Sequence, residues 1–200
     1  MDFYPPGRDI PEHLEASDFV LRPLQVGHLH LDYDAVMEEP AYLRSWSQSG
    51  WPSDDFTLAE NRLDLEHHEL EHRKGTAFTY TVLSKEGDHC LGCVYITPIG
   101  ERIAYEKVLQ ATETKLPDYT ADVCFWVRPS LHNKAVDRRL LSALSDWFTD
   151  EWAFERIYIH TSAEDRRQQK IFKQAELQYV SNFKARDPRP GHWFLYLFFK

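Results

Sequence analysis

The sequence predicts a single α/β domain, on three observations. Residues 121–127, Ala-Asp-Val-Cys-Phe-Trp-Val, are rich in β-branched and aromatic side chains, and Pro129 follows, so a buried strand ends near Arg128. From there Leu140, Leu141, Leu144, Trp147 and Phe148 recur at the spacing of one helix face. Two further apolar runs, 78–83 and 90–96, flank Glu86-Gly87-Asp88 and read as an antiparallel hairpin. A strand at 156–161, a helix from Asp165 to Ala175 and a closing strand from His192 to Phe199 extend the alternation.

Taken in order, residues 1–17 read as an arm, and the domain occupies 18–200. Phe19 to Leu24 is a short strand that Pro23 pushes toward a sheet edge. A helix is expected around Asp32 to Leu43 in spite of Pro40. Ser53 or Asp54 then caps a helix whose sparse apolar side is Leu58, Leu63, Leu65 and Leu70, and Gly75 ends it. Residues 97–120 form a long connection with its own short structure at Arg102 to Leu109.

A chain of 200 residues buries one sizeable core. The net charge of −9 argues against a nucleic-acid or anionic-membrane partner, since no basic stripe offers to neutralise a row of phosphates. The first residues carry no signal-peptide pattern and no segment has bilayer-spanning length, so a cytoplasmic protein is expected. Three cysteines make a disulfide framework improbable, and Cys93 and Cys124 read as small core hydrophobes.

Two metal patterns need weighing. His68-Glu69-Leu70-Glu71-His72 matches H-E-x-x-H. Charged Glu66, Glu71, Arg73 and Lys74 surround it and Phe78 stands where a third histidine would, so a solvated helix face is preferred to a zinc protease. Cys90 and Cys93 are three apart on a strand, which sends their side chains to opposite faces and makes a poor clamp. No metal is expected.

A strand running straight into a helix aims the free first-turn amides at the space beyond the strand end, a ready site for phosphate. Several stretches then resemble, in the right order, the GNAT superfamily of acyl-coenzyme A dependent N-acyltransferases, over residues 18–200. Residues 121–127 resemble the fourth strand of the subgroup that acetylates ribosomal-protein N-termini, often Ala-Glu-Ile-Gly-Tyr-Trp-Ile. Trp147-Phe148 resembles the end of its next helix, Leu21-Arg22-Pro23-Leu24 its opening strand, and Gly92-Cys93-Val94-Tyr95 its third.

The resemblance implies a curved, mixed, mostly antiparallel sheet with helices on both faces, and acetyl-coenzyme A as donor. It places the pantetheine arm between the fourth and fifth strands, beside Phe125, Trp126 and Val127, whose amides could stabilise the thioester oxyanion. The pyrophosphate falls on His132, Asn133, Lys134, Ala135, Val136, Asp137 and Arg138. The family turn there carries glycines where this chain has Ala135 and Asp137. Ala135 is tolerable with a negative φ. Asp137 sets a carboxylate against a dianion, a repulsion of about 1 kcal/mol or more, which Lys134, Arg138 and Arg139 would offset; alternatively it caps the helix.

Asp165 and Phe172 align with the family's Asn and its proton-donating Tyr, and Phe172 has no proton to give. Asp122, aligned with a family Glu, is the candidate base, with a solvent-side carboxylate as its ordinary alternative. The acceptor is a small-molecule or peptide amine of unspecified kind. Trp46, Trp51 and Tyr119 are expected in the core first, and in an acceptor pocket or homodimer contact second. The competing function is a GNAT-fold binding module that has lost coenzyme binding.

Overall fold

A computed structural model describes residues 2–103, 105–112, 115–185 and 190–199. Its eight strands form one sheet in the order β1-β2-β3-β4-β5-β6-β8-β7. They are β1 (Leu14–Glu15), β2 (Phe19–Pro23), β3 (Phe78–Ser84), β4 (Cys90–Pro98), β5 (Thr120–Val127), β6 (Arg156–Ser162), β7 (Gln178–Ala185) and β8 (Gly191–Phe199). Only β5 and β6 pair in parallel. The hairpin is β3–β4, as expected. β1 and β7 were not anticipated, and Leu14 of the expected arm pairs with Leu21.

The helices are α1 (Leu29–Glu38), α2 (Pro40–Ser47), α3 (Leu58–Lys74), α4 (Tyr105–Thr112), α5 (Val136–Asp150) and α6 (Arg166–Gln174). The helix expected from Asp32 to Leu43 is two. Pro40 lacks an amide hydrogen and disfavours helical geometry at Glu39, so it opens α2 at its first position instead of continuing α1. The cap of α3 is Thr57, not Ser53 or Asp54: Thr57 and Glu60 form a reciprocal capping box. Its expected apolar side also fails, because Leu63 and Leu70 face solvent and only Asn61 and Leu65 are buried.

On one face of the sheet, Leu140, Leu141, Leu144, Trp147 and Phe148 of α5 pack over Val94, Ile96, Val123, Phe125 and Ile159. Burial of each such side chain contributes about 1.5–3 kcal/mol. Tyr4 of the arm joins this core, and its hydroxyl accepts from Ala153 N at 2.9 Å. On the other face α1 and α2 bring Val36, Leu43 and Trp46 onto Cys93, Tyr95, Cys124 and Trp126. Gly92 fits where β4 crosses β5 because a Cβ there would lie 2.0 Å from Trp126 O.

Candidate active site

β5 and β6 stay paired from Thr120↔Arg156 to Val123↔Ile159 and then separate. Beyond that point β5 runs on beside β4, and β6 beside β8. The result is a fork whose opening is closed by the chain's own side chains. Gln168 of α6 donates from Nε2 to Phe125 O at 2.7 Å. Tyr42 of α2 reaches across and donates to Asp165 Oδ2 at 3.2 Å, its ring edge-on to that of His132 with the centroids 5.6 Å apart. What remains open between Tyr42, Phe125, Val127, His132, Asp165 and Gln168 is ≈ 10 Å³.

The turn beyond the fork departs from expectation at both altered positions. Pro129–Lys134 is a 3-10 helix, and Ala135 ends it with φ 55. Alanine has therefore taken the left-handed geometry usual for glycine, at a cost of about 1 kcal/mol, not the negative φ that would have made it comfortable. Asp137 is not the cap residue of α5, though its Oδ1 accepts from the first-turn amide of Arg138 at 2.9 Å, and it does not stand unscreened. The cap position belongs to Ala135, which offers no side-chain cap. Asp137 is buried and holds Arg167, whose Nε meets Oδ2 and whose Nη2 meets Oδ1 at 3.0 Å and His132 O.

Arg167 lies thirty residues from Asp137 in sequence, and nothing in the Arg-Arg-Gln-Gln run that carries it marks it as a partner. Of the cations expected to offset Asp137, Arg139 is engaged elsewhere, with Asp18 and with Lys134 O at 2.7 Å. Arg138, Arg167 and Lys170 instead line an open pocket of ≈ 360 Å³ that also touches His132 and Ala135. This is the basic end of the fork.

At the floor of the fork sits a charged pair. Asp122 is fully buried, which rules out a solvent-side carboxylate, and His160 Nδ1 donates to its Oδ1 at 2.8 Å. Burial works against a charged imidazole, yet the Asp122 charge, with Cys124, outweighs it and raises His160 to about 10. Asp122 is thus committed to His160. A cavity of ≈ 10 Å³ adjoins the pair, between Trp46, Arg102, Cys124, Thr161 and Trp193. Arg102 Nε, Thr161 Oγ1 and Trp193 Nε1 are buried there without hydrogen-bond partners among the described residues. They form a set of donors with nothing to donate to.

Asp165 caps α6 by accepting from Gln168 N at 2.8 Å. Phe172 is fully buried between the rings of Phe125 and Tyr196. His160 is the group that sequence reading missed, and a lone histidine in the apolar strand 156–161 was its only trace.

A pocket of ≈ 430 Å³ lies between α1, α3 and β4. Asp32, Trp46, Trp51, His68, Glu71 and Tyr95 line it, and Trp46 and Arg102 border both it and the fork cavity. The tryptophans are therefore pocket walls as well as core. The H-E-x-x-H residues contribute separately. Glu69 accepts from Val26 N at 3.0 Å, and His72 packs edge-on against Phe78 and Tyr80, leaving no shared metal position.

Cys90 and Cys93 do not diverge as expected. Pairing jumps from Val82↔Gly92 to Leu83↔Cys90, and this bulge at Leu91 returns both thiols to one face beside Asp32. Each is already satisfied there: Cys93 donates to Asp32 Oδ1 at 3.4 Å and Cys90 to Gly92 O at 3.5 Å, while Asn61 holds Asp32 Oδ2 at 2.9 Å.

A forked β5–β6 pair leading to a basic helix N-terminus defines the acyltransferase class of α/β proteins that the sequence pointed to. The sequence matches the acetyltransferase (GNAT) domain family over residues 18–178, and the chain belongs to that family of transferases. No curated protein matches it. Among solved structures it is similar to the ribosomal L7/L12 alpha-N-protein acetyltransferase RimL in complex with coenzyme A, at 15% identity, covering 94% of this chain and 95% of that one, with a TM-score of 0.68. The ribosomal-protein-S5-alanine acetyltransferase of Vibrio fischeri matches at 16% identity over 94% and 95%, TM-score 0.69. Mycobacterium smegmatis RimJ matches at 13% over 93% and 86%, TM-score 0.70. No helix among the described residues is long and apolar enough to cross a membrane.

Proposed function

We propose that the chain transfers an acetyl group from acetyl-coenzyme A to a primary amine by direct attack, in the cytoplasm. The observation that carries this reading is the fork with a buried imidazolium–carboxylate pair at its floor. Acetyl-coenzyme A supplies an activated thioester carbonyl. The chain supplies the remaining parts.

Its fit is uneven along the fork. The basic pocket suits phosphate, with Arg138, Arg167 and Lys170 as the groups to hold it. The turn itself is a poorer amide cradle than a glycine turn, because Asp137 occupies it, though Arg167 neutralises that carboxylate. For the pantetheine arm to reach the main chain of Phe125, Trp126 and Val127, Gln168 has to release Phe125 O. Binding is therefore a competition with internal contacts that are already made.

His160, held protonated by Asp122, is the group we assign to return a proton to the departing thiolate, the role Phe172 cannot fill. The buried donors around the adjoining cavity support stabilisation of a carbonyl oxygen. The named activities of RimL and the S5 enzyme, both on ribosomal proteins, support an amine acceptor.

The test is thiol release from acetyl-coenzyme A in the presence of primary amines. Amine-dependent release that collapses in His160→Gln is expected. A folded wild-type protein that releases no thiol with any amine would overturn the reading.

A further inference from the structure

The side chains of the H-E-L-E-H segment have separate partners, and one of its histidines faces an open pocket. His68 lines the ≈ 430 Å³ pocket. Its Nδ1 lies 3.1 Å from Glu71 Oε2 and 3.2 Å from Thr79 Oγ1. A carboxylate at Nδ1 fixes the proton there and leaves the lone pair on Nε2, the arrangement by which a carboxylate orients a catalytic imidazole. Glu71 is ionised for this purpose: the hydrogen bond from His68 is the largest of the causes that hold its carboxyl below the usual range.

Two other acids of the pocket are less suited to take a proton. Asp32 already accepts from Asn61 and Cys93. Glu71 is engaged with His68 and ion-paired with His67. Asp64 and Glu101 also line the pocket, and burial raises the Asp64 carboxyl above its usual range, so Asp64 is the one acid there that competes with His68 for a proton.

The walls say what kind of amine fits. Trp46, Trp51 and Tyr95 give the pocket three aromatic surfaces, with Leu24, Val36 and Leu65 between them. Its volume lies in the range of small-molecule sites. The Arg102 guanidinium stands over the Tyr95 ring at 4.1 Å, one fixed cation among the four acidic side chains Asp32, Asp64, Glu71 and Glu101, so it is the apolar and aromatic walls that favour an amine with an apolar body over a polyamine. Asp64 and Glu71 supply the negative side on which a single ammonium is welcome.

We propose that this pocket binds a small primary amine carried on an aromatic or apolar body, and that His68, oriented by Glu71, removes the proton the nitrogen loses as it is acylated. The proposal deepens the acetyltransferase reading and rests on it. The pocket shares Trp46 and Arg102 with the cavity at the fork and no residue with the basic pocket, so an amine held there is next to the fork cavity and apart from the cations that would hold phosphate. The ammonium first gives one proton through His68 to solvent. The nitrogen–carbon bond then forms and the carbon–sulfur bond breaks. The nitrogen's second proton passes to His68 Nε2, and sulfur takes one from the His160–Asp122 pair.

Phenethylamine is the probe, with 2-phenylethanol as its uncharged counterpart and spermidine and trialanine as competing acceptor types. Binding is read first without donor, as a change in tryptophan fluorescence, which Trp46 and Trp51 should report. Turnover is read second, with acetyl-coenzyme A. Phenethylamine should bind and be acetylated in preference to spermidine and trialanine, and 2-phenylethanol should bind more weakly. His68→Gln should lower kcat about 10²-fold with little change in KM or in the donor-free titration, and Glu71→Gln should lower kcat by a smaller factor.

Acetylation of spermidine or trialanine in preference to phenethylamine overturns the acceptor class, and an unchanged kcat in His68→Gln overturns the base. Donor binding measured separately keeps the two readings distinguishable. A protein that binds coenzyme A but neither binds nor acetylates phenethylamine fails this proposal alone, whereas one that binds phenethylamine but never coenzyme A fails the transferase reading.

Discussion

The fork and the large pocket, two cavities that meet at Trp46 and Arg102, are built on opposite plans. At the mouth of the fork the polar groups have found internal partners, as Phe125 O takes Gln168, Asp137 takes Arg167, Tyr42 takes Asp165 and Asp122 Oδ1 takes His160, while Asp122 Oδ2, Gln168 Oε1 and the donors of the adjoining cavity have none among the described residues. In the large pocket the side chains are tied at their backs, as His68 is to Glu71 and Asp32 to Asn61, and leave ≈ 430 Å³ in front of them. A ligand enters the pocket by displacing water. It enters the fork by displacing protein. The donor's affinity should therefore be set by the strength of a few internal hydrogen bonds, and single substitutions should move it in either direction.

The largest effect is expected where the fork has least freedom. His160→Ala leaves the buried Asp122 carboxylate without its counter-charge and should cost about 3–5 kcal/mol in denaturant unfolding, whereas Asp122→Asn with His160 intact removes the charge itself and should cost less. The pair also fixes a pH dependence. His160 is raised from 6.5 to about 10, so the folded chain retains a proton that the unfolded chain gives up. Its stabilisation is complete below about pH 6.5 and is lost as pH rises toward about 10. His160→Gln should flatten that part of a stability–pH profile, and an identical profile would break the assignment.

Gly92→Ala comes next, since the added Cβ falls 2.0 Å from Trp126 O and has to push β4 from β5 between the two cavities. About 1–3 kcal/mol of destabilisation is expected, seen as a lower midpoint of thermal or denaturant unfolding. A silent substitution would show that the strands yield there.

The outline of the sheet was legible because its strands are apolar, short and punctuated. β5 and the stripe of α5 from Leu140 to Phe148 follow directly from periodicity, and all five stripe residues are buried. β7 was not legible, because Gln178–Ala185 is a largely exposed edge strand whose apolar residues Tyr179, Val180 and Phe183 keep no strict period of two. The break between α1 and α2 was written in Pro40 and underweighted. The site was legible only in its local part. Asp122, Ala135 and Asp137 stood out in the chain, but their partners His160 and Arg167 arrive from β6 and α6, and no local pattern announces a contact made across 30 or more residues. The same holds for Cys90 and Cys93, which share a face because of a bulge that only the pairing reveals.

A smaller, sharper test of the comparison is Asp137→Asn. It releases Arg167 from a charged partner and removes a carboxylate from the turn, so coenzyme A should bind roughly fivefold more tightly, the equivalent of about 1 kcal/mol. Weaker binding would mean that Asp137 holds the turn in its binding shape. The smallest effect belongs to the helix that carries the pocket. Thr57→Ala opens the capping box of α3 and should cost about 1 kcal/mol of stability while leaving coenzyme A affinity unchanged; a change in that affinity would show that the two cavities are coupled through the scaffold.

The most direct measurement is calorimetric titration of coenzyme A and acetyl-coenzyme A at low salt into the wild-type chain and into an Arg138→Ala, Lys170→Ala double variant. The account predicts micromolar binding to the wild type, and binding at least tenfold weaker to the variant that has lost two of the three cations of the basic pocket. No heat with either ligand at millimolar concentration would contradict it, and would leave a GNAT-fold protein whose fork is closed for good and whose open pocket serves binding alone.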